Sequence, residues 1–175
     1  MKSIDWNTVQ EVKEFVRPSA GGYLCKITAV EDVPERQYLK MEYDIASGEF
    51  EGYWKKIYEN KGFWGGSFIK SYKTNALPFF KAFKTCVENS NPNYQFDNDE
   101  KTLIGKFIGL VLGEEEYLSQ AGEVKTRLYV AEVKTADRIM KNDFEVPAIK
   151  KLPQQSNYNN SGAYIPDLEE KLDWE

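Results

Sequence analysis

The chain has 175 residues, of which 41% are hydrophobic, 29% charged and 14% aromatic, a composition typical of one folded domain. It contains no histidine and only two cysteines, Cys25 and Cys86. The lack of histidine excludes nucleophile systems and zinc proteases that depend on imidazole, and two isolated cysteines are too few for a four-ligand zinc site. Because no apolar run reaches the roughly 18 residues of a membrane helix and the N-terminus is charged, we expect a cytoplasmic protein without membrane association.

The formal net charge of −5 is distributed unevenly along the chain. The segment from Glu51 to Lys84 contains seven lysines and two glutamates. Residues 152–175 contain five acidic residues and one lysine. A basic middle and an acidic C-terminus therefore coexist, and the basic part is the better candidate for a polyanionic partner.

The first half of the chain predicts a short helix and three strands. Apolar residues in Ser3–Val16 follow a partial helical spacing. Alternating patterns predict strands over Tyr23–Val33 and Arg36–Ala46, the second with Leu39, Met41, Tyr43 and Ile45 on one face. After the Ser47-Gly48 turn, a third alternating segment, Glu49–Asn60, predicts the third strand of a meander.

The second half predicts a helix and two strands. Ala76–Ser90 has the three- and four-residue spacing of an amphipathic helix, with Thr74 or Asn75 as its cap and Pro78 in its first turn. The apolar segment Thr102–Gly113 predicts a strand. The acidic segment Glu114–Glu123 then predicts a hairpin loop, and Val124–Thr135 predicts the last strand.

Three strands, a helix and two strands form the element order of the oligonucleotide-binding (OB) fold, a five-stranded Greek-key barrel with its helix between strands 3 and 4. We therefore predict a mainly β, OB-fold-like domain over residues 1–151. Residues 152–175 begin with a Gln-, Asn-, Ser- and Gly-rich stretch and end in acids, which predicts a flexible linker and a disordered acidic tail.

The segment Tyr53–Lys73 interleaves seven aromatic residues with five lysines. Single-stranded nucleic acid binds to this mixture, because bases stack on rings and lysines neutralise phosphates. The meander predicts Trp54, Lys56 and Tyr58 on one strand face. The whole predicted binding set is Trp54, Lys55, Lys56, Tyr58, Lys61, Phe63, Trp64, Lys70, Tyr72, Lys73 and Arg127. The alternative is that the rings belong to the core and the lysines are ordinary solvated side chains.

The acidic C-terminus places Trp174 between Asp173 and Glu175. A short motif of this kind behind a flexible linker is typical of a peptide that docks in a basic, ring-lined pocket of a partner. It could also compete for the basic face of its own chain. The alternative is a charged end that only aids solubility.

A run of three acids, Glu114 to Glu116, together with Asp97 and Asp99, raises the hypothesis of a metal-dependent nuclease. Consecutive residues of a hairpin point to opposite sides, however, so a solvated turn is the preferred interpretation. The glycine spacings of a phosphate-binding loop and of a dinucleotide-binding turn are both missing. We therefore predict no catalytic residues, no metal and no cofactor.

Four segments carry a family resemblance: PSAGGYLCKITAVEDV, YLKMEYDIASGEFEGYW, the stretch from LIGKFIGLVLGEEEYLSQAGEVKTRLYVAEVKTADRI to FEVPAIKKL, and the acidic end. Through them the chain resembles phage-encoded single-stranded-DNA-binding proteins and related replication-module proteins of phages and mobile elements of Gram-positive bacteria, over most of residues 18–152. The resemblance implies an OB fold that coats single-stranded DNA during replication and recombination in the host cytoplasm. It also implies a groove lined by Trp54, Lys56, Tyr58, Phe63, Trp64, Lys70 and Tyr72, and partner docking through Asp173 and Trp174.

Two questions stay open at the level of sequence. The alternative to nucleic-acid binding is that the aromatic surface is a protein interface, in which case the chain is a non-catalytic interaction adaptor of a phage or mobile element. Assembly into a homo-oligomer is also possible. The partners expected under the leading hypothesis are single-stranded DNA and, through the tail, replication or recombination proteins.

Overall fold

The computed structural model describes residues 2–9 and 16–153. The described part is mainly β, with one five-stranded antiparallel sheet in the order β3-β2-β1-β4-β5. The strands are β1 (Gly21–Val33), β2 (Tyr38–Ile45), β3 (Ser67–Ser71), β4 (Phe107–Leu118) and β5 (Val124–Lys134). The helices are α1 (Tyr53–Lys61), α2 (Leu77–Ser90) and α3 (Ala136–Met140), with 3-10 turns at Thr74–Ala76 and Glu100–Leu103.

The core lies on one face of the sheet. In β2, Leu39, Met41, Tyr43 and Ile45 are all buried, which confirms the predicted strand and its buried face. The helix α2 confirms the predicted amphipathic helix and packs Phe83 and Val87 into the same core. Burial of each of these large side chains typically stabilises the fold by about 1.5–3 kcal/mol. This burial is the main force that holds the sheet and the helix together.

The predicted third strand is wrong, because Tyr53–Lys61 forms the helix α1. The buried carboxylate of Asp44 accepts hydrogen bonds from the backbone N–H groups of Trp54 (2.9 Å) and Lys55 (3.1 Å), and so satisfies the open end of the helix. Gly52 and Gly62 flank the helix with positive φ angles of 69° and 76°, a conformation that glycine adopts without strain. The third strand of the sheet is Ser67–Ser71, which follows the segment predicted as a strand.

Two further boundaries differ from the prediction. The cap position of α2 is Ala76, with no side-chain cap, and Thr74 and Asn75 belong to a 3-10 turn instead. The predicted acidic loop is also wrong, because Glu114 to Glu116 lie within β4, opposite Leu128, Arg127 and Thr126 of β5. The long β4–β5 hairpin therefore has its turn at residues 119–123.

Between the described residues of β3 and β5 no strand pairing closes the sheet, so the predicted closed barrel is not confirmed. The position of α2 between β3 and β4 along the chain does follow the prediction. None of the helices that the structure describes has the length and apolar character needed to cross a membrane.

The segment after β5 covers part of the outer face of the sheet, which is the face opposite the core. Phe144 lies against Gly22, where an added Cβ atom would come within 2.5 Å of the Phe144 ring, and Ile139 of α3 lies against Gly109. Lys150 then pairs with the free part of β4, because its N–H donates to Glu114 O (2.9 Å) and its carbonyl accepts from Glu116 N (2.8 Å). The segment 136–152 is therefore part of the domain.

The predicted N-terminal helix and C-terminal tail lie largely outside the residues that the structure describes. Residues 2–9 contain a turn, in which Thr8 N donates to Asp5 O (3.2 Å), and residues 10–15 of the predicted N-terminal helix lie outside the described residues. The predicted linker and tail, including Asp173, Trp174 and Glu175, lie outside them as well, except for Leu152 and Pro153.

Candidate nucleic-acid interface

The helix α1 divides the predicted ring-and-lysine cluster into two sides. Tyr53, Trp54 and Ile57 are buried, whereas Tyr58 is 54% exposed. The lysines of the helix, Lys55, Lys56 and Lys61, are exposed as well. The predicted strand face of Trp54, Lys56 and Tyr58 does not exist, because a helix turns these three residues in different directions.

Trp54 is a core residue. Its ring packs edge-on against Tyr53 (4.9 Å between ring centroids) and Tyr43 (6.5 Å). Gly65 and Gly66 pass directly over it, since an added Cβ atom at Gly65 would lie 2.6 Å from the indole ring. With its faces occupied in this way, the ring of Trp54 offers no surface for a base.

Three other rings form a partly exposed group at the end of α1, which we call the ring patch: Tyr58, Phe63 and Trp64. Phe63 is 54% exposed, like Tyr58, and Trp64 is half-buried. The centroids of the Tyr58 and Trp64 rings are 6.3 Å apart. The indole N–H of Trp64 donates to Gly66 O (3.1 Å), which fixes the orientation of that ring. The patch is thus a small, partly preorganised aromatic surface.

The lysines near the ring patch are available for an anion. Across residues 2–9 and 16–153, Lys55, Lys56 and Lys61 form no ion pair with a carboxylate. Lys56 Nζ donates only to the Glu51 carbonyl (3.1 Å). Rings beside uncommitted cations are the chemistry that single-stranded nucleic acid requires.

The remaining predicted residues on this part of the chain lie at or beyond β3. Lys70 of β3 faces the core opposite Leu39, and burial lowers its pKa. Tyr72 donates its hydroxyl hydrogen bond to Asp32 (2.8 Å), and this bond raises the pKa of Tyr72. Tyr72 and the exposed Lys73 are separated from the ring patch by the length of β3, about 13 Å. The predicted single platform is therefore split in two.

Arg127 belongs to a different region. Its Nε donates to Glu115 (2.7 Å), and its guanidinium group lies 5.3 Å from the centroid of the Tyr117 ring. Both contacts lie within the β4–β5 hairpin. The structure therefore does not bring Arg127 together with the ring patch.

The acids of the nuclease hypothesis each have a structural contact. Glu114 pairs with Arg17 (3.0 Å), Glu115 pairs with Arg127, and Glu116 accepts a hydrogen bond from Leu152 N (3.0 Å). Asp97 and Asp99 accept backbone hydrogen bonds in their own loop. In the part of the chain with described coordinates, no three acidic or cysteine side chains converge as metal ligands. The described residues therefore provide no set of metal ligands that would support the nuclease hypothesis.

Asp44, the residue that positions α1, was not among the residues predicted from the sequence. Its carboxylate is buried and holds the N-terminus of the helix. The two glycines that bracket the helix, Gly52 and Gly62, are the pattern that would have indicated a helix of this length. No local sequence pattern marks Asp44, because the two backbone N–H groups of α1 that it binds lie ten and eleven residues further along the chain.

Comparison with known proteins adds nothing to this description, since no protein-family model matches the chain and no curated protein is detectably similar to it.

Proposed function

We propose that this protein binds single-stranded DNA without catalysing a reaction, and that it acts in the replication or recombination of a phage or mobile element. The observation that carries the proposal is the ring patch beside the lysines of α1, which form no ion pair within the described residues. Bases would stack on Tyr58, Phe63 and Trp64, while Lys55 and Lys61 would contact phosphates.

We also propose that the sheet is a version of the OB fold. The strand order β3-β2-β1-β4-β5 and the single long helix between β3 and β4 support this assignment. The ring patch lies at the connection from α1 into β3, on the edge of the sheet. In this fold, strands 2 and 3 belong to the surface that binds oligonucleotides.

The proposal includes the acidic tail as the part that recruits replication or recombination proteins, with Asp173, Trp174 and Glu175 as the docking residues. Its support is the composition of residues 152–175 and the position of Lys150 and Leu152 on β4. These contacts bring the start of the tail to the β4–β5 hairpin. The proposed setting is the cytoplasm of a bacterial host, where the chain could also form homo-oligomers.

The direct test is a fluorescence-anisotropy titration of a labelled oligo-dT of about 15 nucleotides, with duplex DNA of the same length beside it, at low and at high salt. We expect saturable binding to the single strand that weakens steeply with salt, and much weaker binding to the duplex. Loss of two stacking rings in Tyr58→Ala/Phe63→Ala should lower the affinity at least about tenfold.

The matched control is Phe79→Ala, because Phe79 is an exposed ring (71%) on α2, outside the ring patch. This variant should bind like the unmodified chain. If the unmodified chain does not bind the oligonucleotide at either salt concentration, the proposal is wrong, and the exposed rings are better explained as the protein interface of an adaptor.

A further inference from the structure

A row of three residues crosses the outer face of the sheet next to α1. Lys26 of β1 lies directly opposite Asp44 of β2 on one side and Phe107 of β4 on the other. Cross-strand partners share a face and lie about 5 Å apart. Asp44, Lys26 and Phe107 therefore form one continuous row on the face opposite the core.

Both ends of this row are held by buried polar residues. Asp44 binds the N-terminus of α1, as described above. Asn91, at the end of α2, accepts from Phe107 N (2.9 Å) and donates to Phe107 O (2.8 Å). Asp44 and Asn91 are the two buried polar residues of the described chain. The backbone that carries Phe107 is therefore held in place by both of its polar groups.

The middle of the row presents a cation beside an aromatic ring. The ammonium group of Lys26 lies 5.1 Å from the centroid of the Phe107 ring, which is 38% exposed. Within the described residues Lys26 forms no ion pair. Contacts of this kind are weak at exposed sites, so Lys26 can turn to a phosphate and leave the ring to a base.

The row is continuous with the ring patch. Asp44 contacts the backbone of Lys55, and Lys55 and Tyr58 are neighbours on one side of α1 because they are three residues apart. The ring of Tyr58 in turn lies beside that of Trp64. In the other direction the path ends after Phe107, since Ile139 and Phe144 cover the outer face at Gly109 and Gly22.

We propose that Lys26 and Phe107 form a second contact site for the same DNA strand, with a base on Phe107 and a phosphate on Lys26. This inference rests on the proposed function. It makes the bound strand run from the ring patch, over the start of α1, to the outer face of β1 and β4. An oligonucleotide must be long enough to span this path before the second site can contribute.

The test compares two probes, an oligo-dT of about 5 nucleotides and one of about 15, with Lys26→Gln and Phe107→Ala. For the longer probe we expect each substitution to weaken binding about three- to tenfold, and Lys26→Gln to lower the slope of log affinity against log salt by about one. The shorter probe should bind to the ring patch with unchanged affinity. The controls are Lys81→Gln and Phe79→Ala, an exposed lysine and an exposed ring on α2.

Two results would overturn the inference and can be told apart. If Tyr58→Ala/Phe63→Ala weakens binding of the longer probe but Lys26→Gln and Phe107→Ala do not, the second site does not exist and the proposed function stands. If the unmodified chain binds neither probe, both proposals fail. Lys26→Gln changes only an exposed side chain, so its result remains informative even if Phe107→Ala unfolds.

Discussion

The two sides of α1 use the same kinds of residue for different purposes. On one side, Tyr53 and Trp54 are buried against the sheet and hold the helix in place. On the other side, Tyr58 is half exposed and lies beside Trp64 and exposed lysines. A sequence rich in rings and lysines therefore indicates a binding surface only after the buried rings have been removed from the count.

The largest expected effect comes from the buried side. Trp54→Ala should lower the free energy of unfolding by about 3–5 kcal/mol, because it removes a large core ring and leaves a cavity. Tyr58→Ala should lower it by no more than about 0.5 kcal/mol, the range for exposed positions. Urea unfolding at neutral pH measures both. Equal losses in the two variants would show that α1 does not divide the rings as described.

The next effect concerns the anchor of the helix. Asp44→Ala removes the acceptor for Trp54 N and Lys55 N, so we expect a loss of about 2 kcal/mol in unfolding free energy and a weaker helical circular dichroism signal. Asp44→Asn keeps one oxygen acceptor and should recover part of the loss. Unchanged stability in Asp44→Ala would contradict the role given to this carboxylate.

A smaller effect is expected where the chain passes over Trp54. In Gly66→Ala the new methyl group would lie 2.7 Å from the Tyr43 carbonyl oxygen and also against the indole ring. Because the backbone of Tyr43 cannot shift without disturbing the sheet, we expect the free energy of unfolding to fall by about 1–3 kcal/mol. The neighbouring Ser67→Ala, at an exposed position, is the matched control. A neutral Gly66→Ala would mean that Trp54 is not packed against this turn.

The smallest effect concerns Tyr72, at the far end of β3 from the ring patch. Its hydrogen bond to Asp32 raises the pKa of Tyr72 above the ordinary value of 10.0. The bond therefore stabilises the fold below about pH 10, and this contribution is lost as the pH rises through the raised pKa. The difference in urea midpoint between the unmodified chain and Tyr72→Phe should shrink above pH 10.

The background variant for that experiment is Asp32→Asn, which removes the charge that raises the pKa. In this background the substitution Tyr72→Phe should show much weaker dependence on pH. A difference that stays constant to pH 11 in the unmodified background would show that Tyr72 is not bonded to Asp32. That result would return Tyr72 to the set of rings available for stacking.

The elements that could be predicted from the sequence are those with local patterns. Apolar residues alternate in β1, β2 and β5 and follow helical spacing in α2, because each of these elements buries one face. The pattern is therefore visible within the sequence of each segment. Their existence and type were predicted correctly. Only their ends differ, as at the cap of α2, where Ala76 replaces the predicted Thr74 or Asn75.

The elements that were missed depend on distant partners. The alternating rings of Glu49–Asn60 match a strand pattern, and the helix forms there because Asp44, on a neighbouring strand, binds its first turn. Three consecutive acids are typical of a loop, yet they extend β4 because Arg17 and Arg127 pair with two of them from other parts of the chain. In both cases the contacting residues are distant in sequence, so a short stretch of sequence does not reveal the contact.

The candidate site was predicted in part for the same reason. The region was identified from its composition, and Tyr58 and Trp64 do come together in space, with the exposed Phe63 next to Trp64 in the chain. Trp54 could not be separated from them without knowledge of the helix. The row of Lys26 and Phe107 could not be found at all, because only the pairing of β1 with β2 and β4 places these two residues in line with Asp44.

The most direct measurement is photochemical cross-linking of the full chain to oligo-dT that carries 5-bromodeoxyuridine, with the modified residues mapped by mass spectrometry. The account predicts cross-links at Tyr58, Phe63 or Trp64 and none at the buried Trp54. Cross-links confined to Tyr72, Phe79 or Phe80, or a failure of the oligonucleotide to cross-link to the ring patch at saturating concentration, would contradict it.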